Sequence, residues 1–194
     1  MRMLLAITCG LVAAYHLSIT RSATIQPMLA PQRGQSVAVA ADSPASVPQV
    51  VVTGSAPGAP AGCNGQDVAN RLAALFDAIS RGDATASTQF FGLKDGEPFE
   101  WYSMNVMGGL PHFVAFRLVD LKGYLAQRAQ RHERLALTAI QINYWDGWLV
   151  HFGPLEALRS ADDLPGARYR LRGKGAMQCE GKVFAKLSLA PTTD

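Results

Sequence analysis

The chain is short of nearly everything that would announce a chemistry. Its 194 residues hold three cysteines and four histidines. No His or Cys stands two to four residues from Cys63 or Cys179, so neither opens the closed tetrahedral ligand set of a structural zinc. A Gly-x-Ser-x-Gly elbow, a Gly-rich phosphate loop and a His-Glu-x-x-His motif are all missing, which withdraws the usual support for hydrolase, nucleotide-binding and zinc-protease activities. Charge is scarce too: 17% of residues are Asp, Glu, Lys or Arg, and the formal net charge is +3. Nucleic-acid binding asks for several Lys or Arg clustered on one face, so no nucleic acid is expected, and neither is a metal or an organic cofactor. The apolar run from Met3 to Ala14 is interrupted by Tyr15, His16 and Ser18 before the roughly 20 residues of a membrane-spanning helix.

What is present starts with Arg2 followed by that apolar run, the layout of a secretory signal. Residues 1–30 are therefore expected to be a signal peptide or N-terminal anchor. Arg21-Ser22-Ala23 puts a large cation where cleavage wants a small residue, and Ala38-Val39-Ala40 fits chemically but lies far downstream. Cys9 sits inside the apolar run instead of after it, which argues against a lipoprotein. The expected location is extracytoplasmic, secreted or membrane-anchored and bacterial, with membrane contact only through this segment. Residues 31–62 are Pro/Ala/Gly-rich, with Pro31, Pro44, Pro48, Pro57 and Pro60, and supply no periodic face to bury; they read as a linker. With Cys9 set aside, Cys63 and Cys179 form an even pair, and in an oxidising compartment a disulfide between them is expected.

The composition of the remainder, within a chain that is 48% hydrophobic, is that of a globular domain. Asp67 followed by Val68, Leu72, Leu75, Phe76 and Ile79 predicts an amphipathic helix closed by Gly82. Asp83 caps a short second helix through Thr88. Lys94-Asp95-Gly96 reads as a turn into an aromatic strand, Pro98 to Met104, and a second short strand follows Gly108-Gly109 at Phe113 to Phe116. Asp120 opens a third helix to about Arg131, with Leu121, Tyr124, Leu125 and Arg128 on one face. Four long strands complete the chain. In the first of them the apolar phase slips between Leu137 and Ile140, the mark of a β-bulge, and Asp146-Gly147 and Glu180-Gly181 read as hairpin turns. Arg168, Arg170, Arg172 and Lys174 alternate along one strand and read as a solvated face that blunts strand pairing.

The segment Arg71-Leu72-Ala73-Ala74-Leu75-Phe76-Asp77-Ala78-Ile79-Ser80-Arg81-Gly82-Asp83 and the element order after it resemble the nuclear transport factor 2-like superfamily, which includes the SnoaL-like polyketide cyclases, scytalone dehydratase and ketosteroid isomerase. Trp101-Tyr102-Ser103 and Gly173-Lys174-Gly175-Ala176-Met177-Gln178-Cys179 are similar to a pattern in exported bacterial members. The resemblance covers Asp67 to Ala190 and assigns residues 63–194 to one such domain. It implies an α+β, cone-like fold in which three N-terminal helices pack on a strongly curved, mostly antiparallel mixed sheet, and often a homodimer through the sheet.

Enzymes of this kind place a carboxylate or a His-Asp pair in the cone, and no such pair emerges from spacing. His151 is the only histidine inside a clearly read strand; His112 and His132 read as solvated. Trp101, Tyr102, Tyr144, Trp148 and His151 are the expected ligand-binding set, with a small apolar ligand or a protein partner as the occupant. The alternative is a cyclase, isomerase or dehydratase with His151 as general base and Tyr102 as hydrogen-bond donor.

Overall fold

The first helix is fixed by its cap. In the computed structural model, which describes residues 49–92, 99–103, 113–164 and 168–192, the Asn64 side chain accepts from the Asp67 amide at 2.9 Å and the Asp67 carboxylate accepts from the Asn64 amide at 3.0 Å. This reciprocal capping box opens α1 (Gly65–Ser80) two residues earlier than Asp67 alone suggests. Val68, Leu72, Leu75, Phe76 and Ile79 form its buried stripe. Asp83 accepts from the Ala86 amide and starts α2 (Ala84–Thr88). The third helix, α3 (Leu118–Gln130), begins before Asp120 because that carboxylate holds the Arg117 guanidinium instead of a backbone amide. The expected export segment, the Lys94-Asp95-Gly96 turn, Gly108-Gly109 and His112 lie outside the described residues.

Seven strands form one sheet in the order β1-β4-β5-β6-β7-β2-β3, namely β1 (Val51–Gly54), β2 (Glu100–Ser103), β3 (Phe113–Ala115), β4 (Arg134–Trp145), β5 (Leu149–Ser160), β6 (Tyr169–Gln178) and β7 (Val183–Pro191). Neighbours are antiparallel except β1 with β4 and β2 with β7, so the fold is α+β on a mixed sheet. The register of β4 against β5 shifts between Leu137 and Ala139, where the apolar phase slips, and the displaced Thr138 hydroxyl donates to the Glu156 carbonyl.

Two expectations are corrected. Val51–Gly54, placed in the linker by its composition, is a strand paired in parallel with β4. It is only four residues long and set among prolines and glycines, so it carries no period to detect. It also packs closely, since a Cβ on Gly54 would stand 2.1 Å from the Ile142 carbonyl oxygen. Secondly, the basic strand β6 is the fourth of seven, hydrogen-bonded on both sides. Its cations guard no edge.

One face of the sheet carries Leu135, Leu137, Ile140, Ile142, Val150, Phe152, Leu155, Leu171, Phe184 and Leu187, all buried in the same cluster as the α1 stripe and Leu121 and Leu125 of α3. Cys63, just before α1, is bonded to Cys179 at the end of β6, with the two Cα atoms 5.6 Å apart. The disulfide thus pins the helix layer to the sheet.

Candidate functional site

Strand alternation decides which side chains can meet a ligand. In β5, Val150 and Phe152 face the helices, so His151 between them points outward, away from the core. Across the sheet, Tyr144 is paired with His151, His151 with Ala176, Ala176 with Lys186 and Lys186 with Glu100. These five side chains form a row across five strands of the outer face, with the small Ala176 at its centre. The result is a depression of about 780 Å³ lined by Tyr144, Trp148 and His151 at one side and by Lys174, Lys186 and Glu100 at the other.

The aromatic side is held rigidly by the hairpin turn. The Asp146 carboxylate accepts from the Trp148 amide at 2.9 Å and the Leu149 amide at 2.7 Å, and its other oxygen lies 2.7 Å from His151 Nε2. Gly147 takes the positive φ of 102° that this turn needs. The Leu149 amide first, and His151 second, draw the Asp146 pKa down to about 2. An ionised Asp146 makes Nε2 the donor and leaves Nδ1 as the basic nitrogen of the neutral ring. Tyr144 stacks on the imidazole, centroids 4.4 Å apart and planes 18° apart. The Gln178 amide, oriented to satisfy both its ends, accepts from Trp148 Nε1 at 2.8 Å. Tyr144 and Trp148 nevertheless remain 53% and 47% exposed, so two clamped aromatic rings face solvent across the depression.

Of the expected site residues, Tyr144, Trp148 and His151 converge and the other two do not. Trp101 is 1% exposed and faces the helices, against Phe91 and Tyr124, so it fills the core instead of contacting a ligand on the outer face. Tyr102 lies on the outer face, edge-on to Phe116 and beneath Lys186. It stands three strands from His151, about 14 Å at ordinary strand spacing. A base and an oxyanion donor for one enolate must both reach a single small substrate, and these two do not. The Asp146 to His151 pair went unread because the two are five residues apart across a turn. The readable signal was the Asp-Gly hairpin itself, whose register brings its first residue beside the returning strand.

A second constellation lies on the helix side. Glu133, 3% exposed, accepts on one oxygen from Arg128 Nε and, at 2.8 Å, from Arg159 Nη2. Arg128 makes a two-pronged contact with Asp163 at 2.6 and 2.8 Å. Arg159 also donates to the Tyr124 hydroxyl at 3.3 Å, which in turn donates to Ser103 at 3.0 Å. Burial works against the charged Arg128, but Asp163 and Glu133 outweigh it and raise its pKa. Burial raises the Tyr124 pKa, and Arg128 lowers that of Asp163. Every charge here is matched, so the cluster reads as a structural tie between α3, β5 and the 162–164 loop. Its trace in the sequence was Arg128 standing in the apolar stripe of α3.

Among the described residues, no group of three or more His, Cys, Asp or Glu is arranged to hold a metal ion, and no helix is long and apolar enough to cross a membrane. No protein-family model matches the chain. No curated protein sequence matches it either. Solved structures do. A Xanthomonas campestris protein named for a calcium/calmodulin-dependent protein kinase II association domain superposes with a TM-score of 0.54 at 9% identity, covering 76% of this chain and 99% of that one. A chain of the yeast deubiquitinase Ubp3 and Bre5 cofactor complex gives 0.52 at 10%, covering 66% and 97%. A Streptomyces avermitilis protein named as a dehydratase of the NTF2-like family gives 0.49 at 13%, covering 66% and 94%. At such identities the likeness is one of fold alone, shared with the Xanthomonas protein and the chain of the yeast complex.

Proposed function

We propose that this is an exported binding module whose ligand seats in the outer-face depression, against Tyr144, Trp148 and His151. The observation that carries this reading is the pair of exposed aromatic rings clamped beside a cavity of about 780 Å³, while the largest side chains between sheet and helices, Trp101, Phe76, Phe152 and Phe184, are fully buried in one core cluster. Rigid aromatic surface left in solvent is what a binding site provides at low ordering cost. The test is a fluorescence titration with anilinonaphthalene sulfonate, an apolar anion. Binding by the parent chain that Trp148→Ala weakens at least about tenfold supports the outer-face site. Binding untouched by Trp148→Ala and Tyr144→Ala would place the ligand elsewhere. Export is supported by the buried Cys63 to Cys179 disulfide, and fractionation of a bacterium expressing the full chain tests it.

A second reading has its own observation, the Asp146 carboxylate oxygen 2.7 Å from His151 Nε2. Such a dyad can serve as a general base for an isomerase, cyclase or dehydratase. Exchange of α-protons of enolisable ketones in heavy water, abolished by His151→Ala, would favour it over simple binding. A homodimer through the sheet would cover the same outer face, so ligand and second copy are expected to compete, which sedimentation with and without ligand measures.

A further inference from the structure

The outer face carries more than the aromatic depression. Arg170, Arg172 and Lys174 alternate along β6 and all three are exposed on the side away from the helices. Alternate residues of a strand are spaced about 7 Å apart, so the three cations mark a line about 14 Å long. A second depression, of about 340 Å³, lies further along this face and is lined by Arg170, Arg172, Glu156 and Thr138. Lys174 lines the first. The stripe therefore lines both hollows, with Lys174 across the first from its aromatic rings. Its counter-charges are few: Glu156 stands 3.7 Å from Arg172, and Glu100 holds Lys186 at 2.6 Å. Arg170 and Lys174 have no ion-pair partner among the described residues.

Three cations on the central strand of a sheet are not explained by pairing, because both neighbours of β6 are already bonded to it. Placing like charges in a row costs stability unless something of opposite sign lies over them. We propose, resting on the outer-face reading above, that the ligand is a linear acidic polysaccharide. Its carboxylate or sulfate groups lie along Arg170, Arg172 and Lys174, and one sugar ring stacks between Tyr144 and Trp148. The surface favours this occupant over others. A recessed track takes a chain, whereas a bilayer is flat and meets protrusions. The exposed rings that line the hollows, Tyr144 and Trp148, stand together, whereas a single-stranded nucleic acid calls for rings along the track, base after base. Export, which the disulfide supports, would set the module among extracellular polysaccharides.

The test is affinity electrophoresis and calorimetry of the full chain with polygalacturonate and heparin, with dextran as the neutral control. Binding of an acidic polymer but not dextran, weakening with added salt and falling about tenfold or more in Arg170→Glu/Lys174→Glu, is the expected result. Both side chains are exposed, so the variant should keep its melting temperature; Arg170→Gln/Lys174→Gln gives a milder version if it does not. Equal or tighter binding of polyglutamate, an oligothymidylate or phosphatidylglycerol vesicles would overturn the ligand class. Unchanged polysaccharide binding by the charge-reversal variant would overturn the track. If no acidic polymer binds while anilinonaphthalene sulfonate still depends on Trp148, this inference fails and the binding reading survives. If the dye also ignores Trp148, both fail.

Discussion

Replacing Glu133 by Gln tests whether the buried charge cluster holds α3 to the sheet. One carboxylate oxygen of a residue 3% exposed serves two guanidiniums, Arg128 and Arg159, themselves 5% and 2% exposed. Glu133 and Asp163 balance Arg128 and Arg159. Gln keeps the shape and one acceptor oxygen but leaves a net positive charge among groups with almost no access to water. Breaking a buried pair by neutralising one partner costs about 3–5 kcal/mol, and the retained acceptor argues for the lower end, about 3 kcal/mol. For a domain of this size that is a fall in Tm of roughly 6–12 °C. Urea denaturation should show a lower midpoint at unchanged slope. Asp120→Asn, at the exposed Arg117 pair, is the control and should leave the urea midpoint close to the parent's. Replacing the buried trio together, Arg128→Met/Glu133→Leu/Arg159→Met, should recover much of the loss. A Glu133→Gln variant within about 1 kcal/mol of the parent would refute the account and imply water at the cluster.

Removing the disulfide with Cys63→Ser/Cys179→Ser frees a loop of sequence separation 116; the chain-entropy estimate is a loss of about 5 kcal/mol as an upper bound, read by denaturation of parent and variant, with reductant affecting only the parent. Gly175→Ala should destabilise by roughly 1–3 kcal/mol despite its small size, since the new Cβ would stand 2.3 Å from the Lys186 carbonyl oxygen and 2.6 Å from the Phe152 ring; stability equal to the parent would contradict the packing. Because the Asp146 pKa is depressed from 3.8 to about 2, its contribution is complete above pH about 4 and is lost as pH falls toward 2. Asp146→Asn should therefore flatten the acid limb of a Tm against pH profile while lowering Tm at neutral pH, and an unchanged acid limb would count against the turn bonds.

What the sequence disclosed follows from how local each cause is. The α1 stripe is visible because five apolar residues at helical spacing all face one layer. The bulge near Thr138 is visible because a phase slip is a property of one strand. Val51–Gly54 is invisible because its stability comes from β4, far along the chain, and not from its own pattern. Trp101 and Tyr102 look equivalent in sequence as neighbouring aromatics, yet adjacent strand residues point to opposite faces, so one at most meets a given ligand. The identity of the buried face was the missing fact. The Glu133 cluster needed tertiary proximity of α3, β5 and the 162–164 loop, for which spacing gives no clue beyond an arginine in an apolar stripe.

The run Gly173-Lys174-Gly175-Ala176 separates structural from functional demand within four residues. Gly173 and Gly175 point toward the core, where a Cβ on either would meet the β7 backbone at 2.2 or 2.3 Å and press on Leu155, Leu189 or Phe152. Packing therefore requires both glycines whatever the protein does. Ala176 is buried at the centre of the outer-face row, and a larger side chain there would fill the hollow between His151 and Lys186. Lys174 is different: it is exposed and forms no ion pair among the described residues. Nothing in the fold asks for a cation at that position on a central strand, and Arg170 stands in the same situation. On the acidic-ligand reading their charge is met by what binds the outer face, and the charge-reversal pair is the variant that separates a binding track from a solvated strand.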